Sequence, residues 1–129
     1  MIVDTSAVLA VLFAEADAEY YARSITETSP CRISAANLLE AAIVVESRSG
    51  LAAGHELDVF LERAGIELVQ VTPQQVEAAR RAWRRFGKGN HPAGLNFGDC
   101  FAYALAEATG EPLLFKGRDF AQTDIEPAG

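Results

Sequence analysis

The sequence predicts an α/β domain with a mainly parallel central sheet and helices on both faces. Short apolar runs alternate with longer segments of helical periodicity, and most runs lead straight into a capping residue. The 129 residues suffice for one core, so positions 1–129 read as a single domain.

MIV is a β-branched first strand, ended by Asp4, Thr5 and Ser6, any of which can cap a helix. Val8, Leu9, Leu12 and Phe13 then recur at helical spacing. A second helix over residues 16–28 stops before Pro30, and Cys31 to Ile33 form a minimal strand. Ser34 caps AANLLEAAIVVESRSG, a helix closing at Gly50. Its apolar surroundings predict that this helix is buried on all sides. Residues 52–64 form the next helix, with Leu57, Phe60 and Leu61 inward, before the strand IELVQV. Thr72, Pro73 and Gln75 open another helix as cap, first residue and third residue. This helix has Val76, Ala79 and Trp83 on one side and basic residues on another. A Gly/Pro-rich loop, FGKGNHPAG, leads to the apolar helix within LNFGDCFAYALA. Pro112 precedes a strand at Leu113 to Phe115, and a last short strand is expected at Asp124 to Glu126.

Composition excludes several classes. No apolar run approaches the roughly 18–20 residues that cross a bilayer, and the start resembles no signal peptide. Cys31 and Cys100 make neither a disulfide framework nor a zinc site; both should pack as small apolar residues in a reducing cytoplasm. A formal charge of −7 argues against nonspecific coating of nucleic acid. Yet Arg80, Arg81, Arg84, Arg85 and Lys88 cluster at helical spacing, either as a solvated face or as a stripe for phosphates. His55 and His91 lack metal-ligand spacing and read as surface residues.

Four carboxylates occupy unusual places. Parallel sheets gather their sites beyond the carboxyl ends of the strands. Asp4 follows the first strand, Asp119 follows LLF by a short turn, and Asp99 stands in the first turn of an apolar helix. Glu40 lies within the apolar stretch Ala35 to Val45, where an unpaired carboxylate costs several kcal/mol. Each has a local reading: Asp4 and Asp99 as caps, Asp119 as a turn residue, Glu40 as the partner of a distant arginine. One shared cation explains all four together. Oxygen ligands without histidine or cysteine suit Mg²⁺ or Mn²⁺.

The order of MIVDTSAVLAVL, SAANLLEAAIVV, LNFGDCFAYALA and LLFKGRDF resembles the PIN-domain family over essentially the full length, and within it the VapC-type toxin ribonucleases. The resemblance implies a PIN-like three-layer domain and metal-dependent endonucleolytic cleavage of RNA, with Mg²⁺ or Mn²⁺ as cofactor. The family's acidic quartet maps onto Asp4, Glu40, Asp99 and Asp119, with Thr5 and Ser6 supporting the metal shell. Asp4 and Asp99 are expected to hold the ion, and Glu40 and Asp119 to hold waters or help remove a proton. Implied partners are an RNA substrate, a cognate VapB-type antitoxin and a second copy in a homodimer, with no membrane involved.

Without the four acids the formal charge falls from −7 to −3, which leaves the basic stripe to meet RNA. Arg80, Arg84, Arg85, Lys88, Lys116 and Arg118 are the candidate phosphate contacts, and charge reversal of Arg84 and Arg85 is expected to weaken binding in a salt-sensitive way. An aspartate-nucleophile phosphatase would want an acid where Ser6 stands, and a receiver module would want paired early acids. The alternative is a catalytically silent PIN-like protein-binding module, which the intact quartet disfavours.

Overall fold

In the computed structural model, which describes residues 1–129, four strands form one sheet. They are β1 (Ile2–Val3), β2 (Cys31–Ser34), β3 (Ile66–Val69) and β4 (Leu113–Leu114), ordered β3-β2-β1-β4 with every pairing parallel. The connections step from β1 to β2 to β3, and β4 then returns to the opposite side of β1. Strand order therefore reverses at β1 and β4, where α/β sheets open a crevice beyond their carboxyl ends.

Six helices cover the sheet: α1 (Thr5–Leu12), α2 (Ala18–Thr26), α3 (Ala35–Ser49), α4 (Leu51–Ala64), α5 (Pro73–Phe86) and α6 (Phe97–Thr109). The pleat assigns side chains to two cores. Val3, Ile33 and Leu114 join Val8, Ile25, Val45 and Leu57 on the face covered by α1 to α4. Ile2 and Leu113 join Ala82, Phe86, Tyr103 and Leu105 on the face covered by α5 and α6. This is the expected three-layer arrangement, and each layer starts at a recognisable cap. Asp4, Ser34 and Thr72 accept backbone N–H groups at the starts of α1, α3 and α5.

Two expectations are corrected, for α3 and for the terminal strand, and α5 is given its inward side. The α3 helix is not buried all round: Leu39 and Ile43 are 62% and 57% exposed, while Asn37, Ala41 and Val45 are its fully buried residues and Leu38 and Ala42 pack partly against the core. On α5 the inward side is Ala78, Ala82 and Phe86, which leaves Val76 and Trp83 outside. The terminal strand reduces to a parallel bridge between Leu113 and Pro127; Leu113 donates to Glu126 and accepts from Ala128.

Candidate active site

Asp4 emerges from β1 and is 3% exposed. Its Oδ2 accepts the Ser6 amide at 3.0 Å and the Ser6 hydroxyl at 2.6 Å, which makes it the cap of α1. Its Oδ1 is buried and accepts nothing. One oxygen is therefore a helix cap and the other is left without a partner. The Ser6 hydroxyl also accepts the Lys116 amide at 2.9 Å, which ties the exit of β4 to the same carboxylate. Thr5 is buried, and its hydroxyl donates to the Asn37 carbonyl at 3.1 Å.

Asp99 repeats this division of labour. It forms a capping box with Asn96, whose side chain accepts the Asp99 amide at 2.9 Å while Asp99 Oδ2 accepts the Asn96 amide at 3.0 Å. Burial pushes its carboxyl up to about 7; the Asn96 hydrogen bond opposes the rise, and the charges of Asp4, Asp119 and Glu40 add to it. Burial likewise lifts Asp4 to about 6, against the Ser6 hydrogen bonds and with a further push from Glu40. The four acids thus share one electrostatic neighbourhood despite the 115 positions between Asp4 and Asp119.

Glu40 lies against Gly98. A Cβ built on Gly98 would collide with the Glu40 carboxylate, so glycine at that position leaves the space the carboxylate occupies. Glu40 has no arginine or lysine partner, contrary to the paired reading. Its hydrogen-bond partner is the Asn37 amide, at 3.5 Å. Asp119 is exposed and precedes a short 3-10 turn, Phe120–Gln122. It meets the others through charge rather than contact.

A divalent ion fits this arrangement in a limited way. No three acidic, imidazole or thiol groups close into a ready ligand cage. The quartet is therefore not gathered as a complete set of direct ligands. The fit rests on the orphaned Asp4 Oδ1, the crowding of acids without basic partners, and an all-oxygen donor set. Mg²⁺ is commonly held by one or two carboxylates, with water filling the remaining positions.

The proposed phosphate contacts separate into two groups. Arg80 pairs with Glu77, Arg81 with Glu107 and Arg85 with Asp124, at 3.1, 3.2 and 3.4 Å. Arg85 also lies over the Phe86 ring. The Lys116 ammonium is held by Glu15 and Asp17. Arg84, Lys88 and Arg118 have no acidic partner and stay available. Charge reversal at Arg84 and Lys88 should therefore reduce the salt dependence of RNA affinity by about one to two in the log–log slope, measured by filter binding across salt concentrations. Arg85→Glu should act mainly through stability, because it places like charge beside Asp124.

Both cysteines are buried and free, and burial raises the Cys100 thiol to about 11, so it stays protonated. His55 is exposed as expected, whereas His91 braces its loop by accepting the Ala93 amide at 3.0 Å. The residue that sequence reasoning left without a function is Asn37. Its signal was present: an amide in an otherwise apolar stretch, three residues before Glu40.

Comparison with known proteins gives a consistent picture. The model of the PIN domain family matches residues 1–126. The chain is 52% identical over 125 residues to a protein named Ribonuclease VapC from Mycolicibacterium smegmatis, covering 97% of each. It is 50% identical over 125 residues to Ribonuclease VapC30 of Mycobacterium tuberculosis, covering 97% of this chain and 95% of that one. Among solved structures, VapC20 of Mycobacterium tuberculosis, described as a Sarcin-Ricin loop cleaving toxin, superposes with a TM-score of 0.80. That match covers 98% of this chain and 97% of the other; at 19% identity it speaks for the fold.

Proposed function

This chain belongs to the PIN domain family, and on that premise we propose that it is an endoribonuclease of the VapC type, the toxin of a VapBC-type pair, that hydrolyses RNA phosphodiester bonds with the help of Mg²⁺ or Mn²⁺. The observation that carries the reading is the pair Asp4 and Asp99. Each spends one oxygen on capping its helix, and the other oxygen accepts no hydrogen bond from the chain.

A divalent ion held by Asp4 and Asp99 would offset charge on phosphate oxygens and make a water more acidic. Around it the chain supplies the rest. Glu40, lodged against Gly98, would accept a proton from the attacking water. Ser6 and Thr5 fix the turn that carries Asp4, so the carboxylate need not reorganise. Arg84, Lys88 and Arg118 meet the RNA backbone, which positions the strand without reading its sequence. Attack by water leaves 5′-phosphate and 3′-hydroxyl ends.

The test is incubation of the parent, Asp4→Asn and Asp99→Asn with structured RNAs and Mg²⁺ or Mn²⁺. Cutting by the parent alone, suppressed by a chelator, supports the reading. Absence of cutting by all three, with protein partner binding retained, favours the silent module.

The reading carries two protein partners. A VapB-type antitoxin would block the acidic crevice, and a basic side chain is the chemistry those acids would accept. A second copy would cover the apolar surface shared by α3 and α6, where Leu39, Ile43 and Phe97 are 62%, 57% and 80% exposed. These three residues line one cleft of ≈ 240 Å³ together with Phe101. Exposed apolar patches of this kind usually mark protein contacts. Phe97→Asp should shift the protein from dimer to monomer in light scattering, while a parent that is already monomeric would remove the homodimer from the reading. No helix is long and apolar enough to cross a membrane.

A further inference from the structure

We propose that Asn37 is a positioning residue that locks the three acid-bearing elements of the site into one geometry; the proposal rests on the nuclease reading above. Asn37 is 0% exposed and reaches all three elements through its side-chain amide and its backbone carbonyl. Its side-chain amide donates to the Gly98 carbonyl at 2.9 Å, one residue from Asp99. The same nitrogen lies 3.5 Å from Glu40 Oε1, one helical turn along α3. Its backbone carbonyl accepts the Thr5 hydroxyl at 3.1 Å, one residue from Asp4. Asp4 on α1, Glu40 on α3 and Asp99 on α6 are therefore tied through a single buried residue.

The residue type follows from these contacts. A leucine fills a similar volume but offers Glu40 and Gly98 no donor. An aspartate offers no donor either, and adds a fifth negative charge beside acids that burial, and to a lesser degree one another's charge, already disfavours. An asparagine is neutral and points its N–H groups at a carbonyl and a carboxylate together. It does so at a cost, because its Oδ1 is buried without a hydrogen bond. An orphaned acceptor costs stability, and the bond from Nδ2 to the Gly98 carbonyl offsets part of that cost. Retaining asparagine at that site fits a task in the active site. Asn37 orients Glu40 and the Asp99 turn without facing RNA itself.

The experiment compares the parent with Asn37→Leu by three readouts: Mn²⁺ binding by calorimetry without RNA, thermal unfolding, and cleavage kinetics. Orienting residues behind a metal site typically affect affinity or activity by roughly 10–100-fold. Asn37→Leu should weaken Mn²⁺ binding and lower kcat per folded molecule within that range, with KM for RNA changed less than about twofold. A purely structural residue would lower Tm and leave Mn²⁺ affinity and kcat per folded molecule unchanged, and that result overturns the proposal. If the leucine variant does not fold, Asn37→Ser supplies the same readouts, because its hydroxyl is too short to bridge Glu40 and Gly98. A parent that cuts no RNA refutes the nuclease reading instead, and a variant that matches a cutting parent refutes only this proposal.

Discussion

Asp99→Asn should abolish RNA cleavage while leaving the fold in place. The replacing amide keeps an oxygen that can accept the Asn96 amide, so the capping box that starts α6 survives. The negative charge offered to a divalent ion is lost, along with half of the Asp4–Asp99 pair. Cleavage should fall by about 10³-fold or more, equivalent to some 4 kcal/mol of transition-state stabilisation. Calorimetry should show Mn²⁺ binding weakened in parallel, and circular dichroism should show unchanged helix content. Activity within tenfold of the parent would mean that Asp99 is a cap and nothing more.

Metal-free stability should fall as pH rises from 5 to 8, the reverse of ordinary acid denaturation. Asp4 and Asp99 are raised to about 6 and about 7, from a usual value near 3.8. Over that interval the native state holds protons that the unfolded chain has already released. Unfolding therefore becomes easier with rising pH; the contribution is complete below about 4 and lost once the native groups ionise. For the fully buried Asp4 the loss at pH 8 is on the order of 3 kcal/mol. Glu111 acts oppositely. Its burial is outweighed by the Met1 amine and Arg32, its carboxyl is held low, and its contribution disappears only in acid, below the measured window. Urea unfolding with a chelator at pH 5 and pH 8 should show the decline, and added Mn²⁺ should recover it at pH 8 by binding the native state. Asp4→Asn should lessen the decline, leaving the part due to Asp99, and exceed the parent in stability at pH 8, even though it no longer cuts. A parent whose metal-free stability rises steadily across this range would contradict the crowded-acid description. Activity and stability oppose each other here for a plain reason. Burying repelling carboxylates serves the site and strains the fold.

The two expectations differ in how much of their basis the sequence contained. Asp99 at the head of an apolar helix was legible because a helix start, its cap and its first-turn acid lie within four residues. The order of strands and helices was legible for the same reason, since periodicity and capping are local. The α3 helix was misjudged for a related reason. Its composition is apolar throughout, but composition does not say which side a neighbour will cover. Leu39 and Ile43 stayed exposed, while Asn37 went inside.

Sequence by itself determined the α/β class and the resemblance to a nuclease family, and it supplied the four acids proposed for the site. Those are carried by residue type and short-range spacing, which hold whatever the chain does later. Only the tertiary structure decided which oxygens stay free, that Glu40 rests against Gly98, and that Asn37 reaches Thr5 and Gly98 together. It also decided that Arg85 is neutralised by Asp124 while Arg84 has no acid partner, although the two are adjacent in sequence. Each of these depends on groups brought together from distant positions. Their partners are chosen by packing and by charge in three dimensions, a choice that spacing along the chain does not encode.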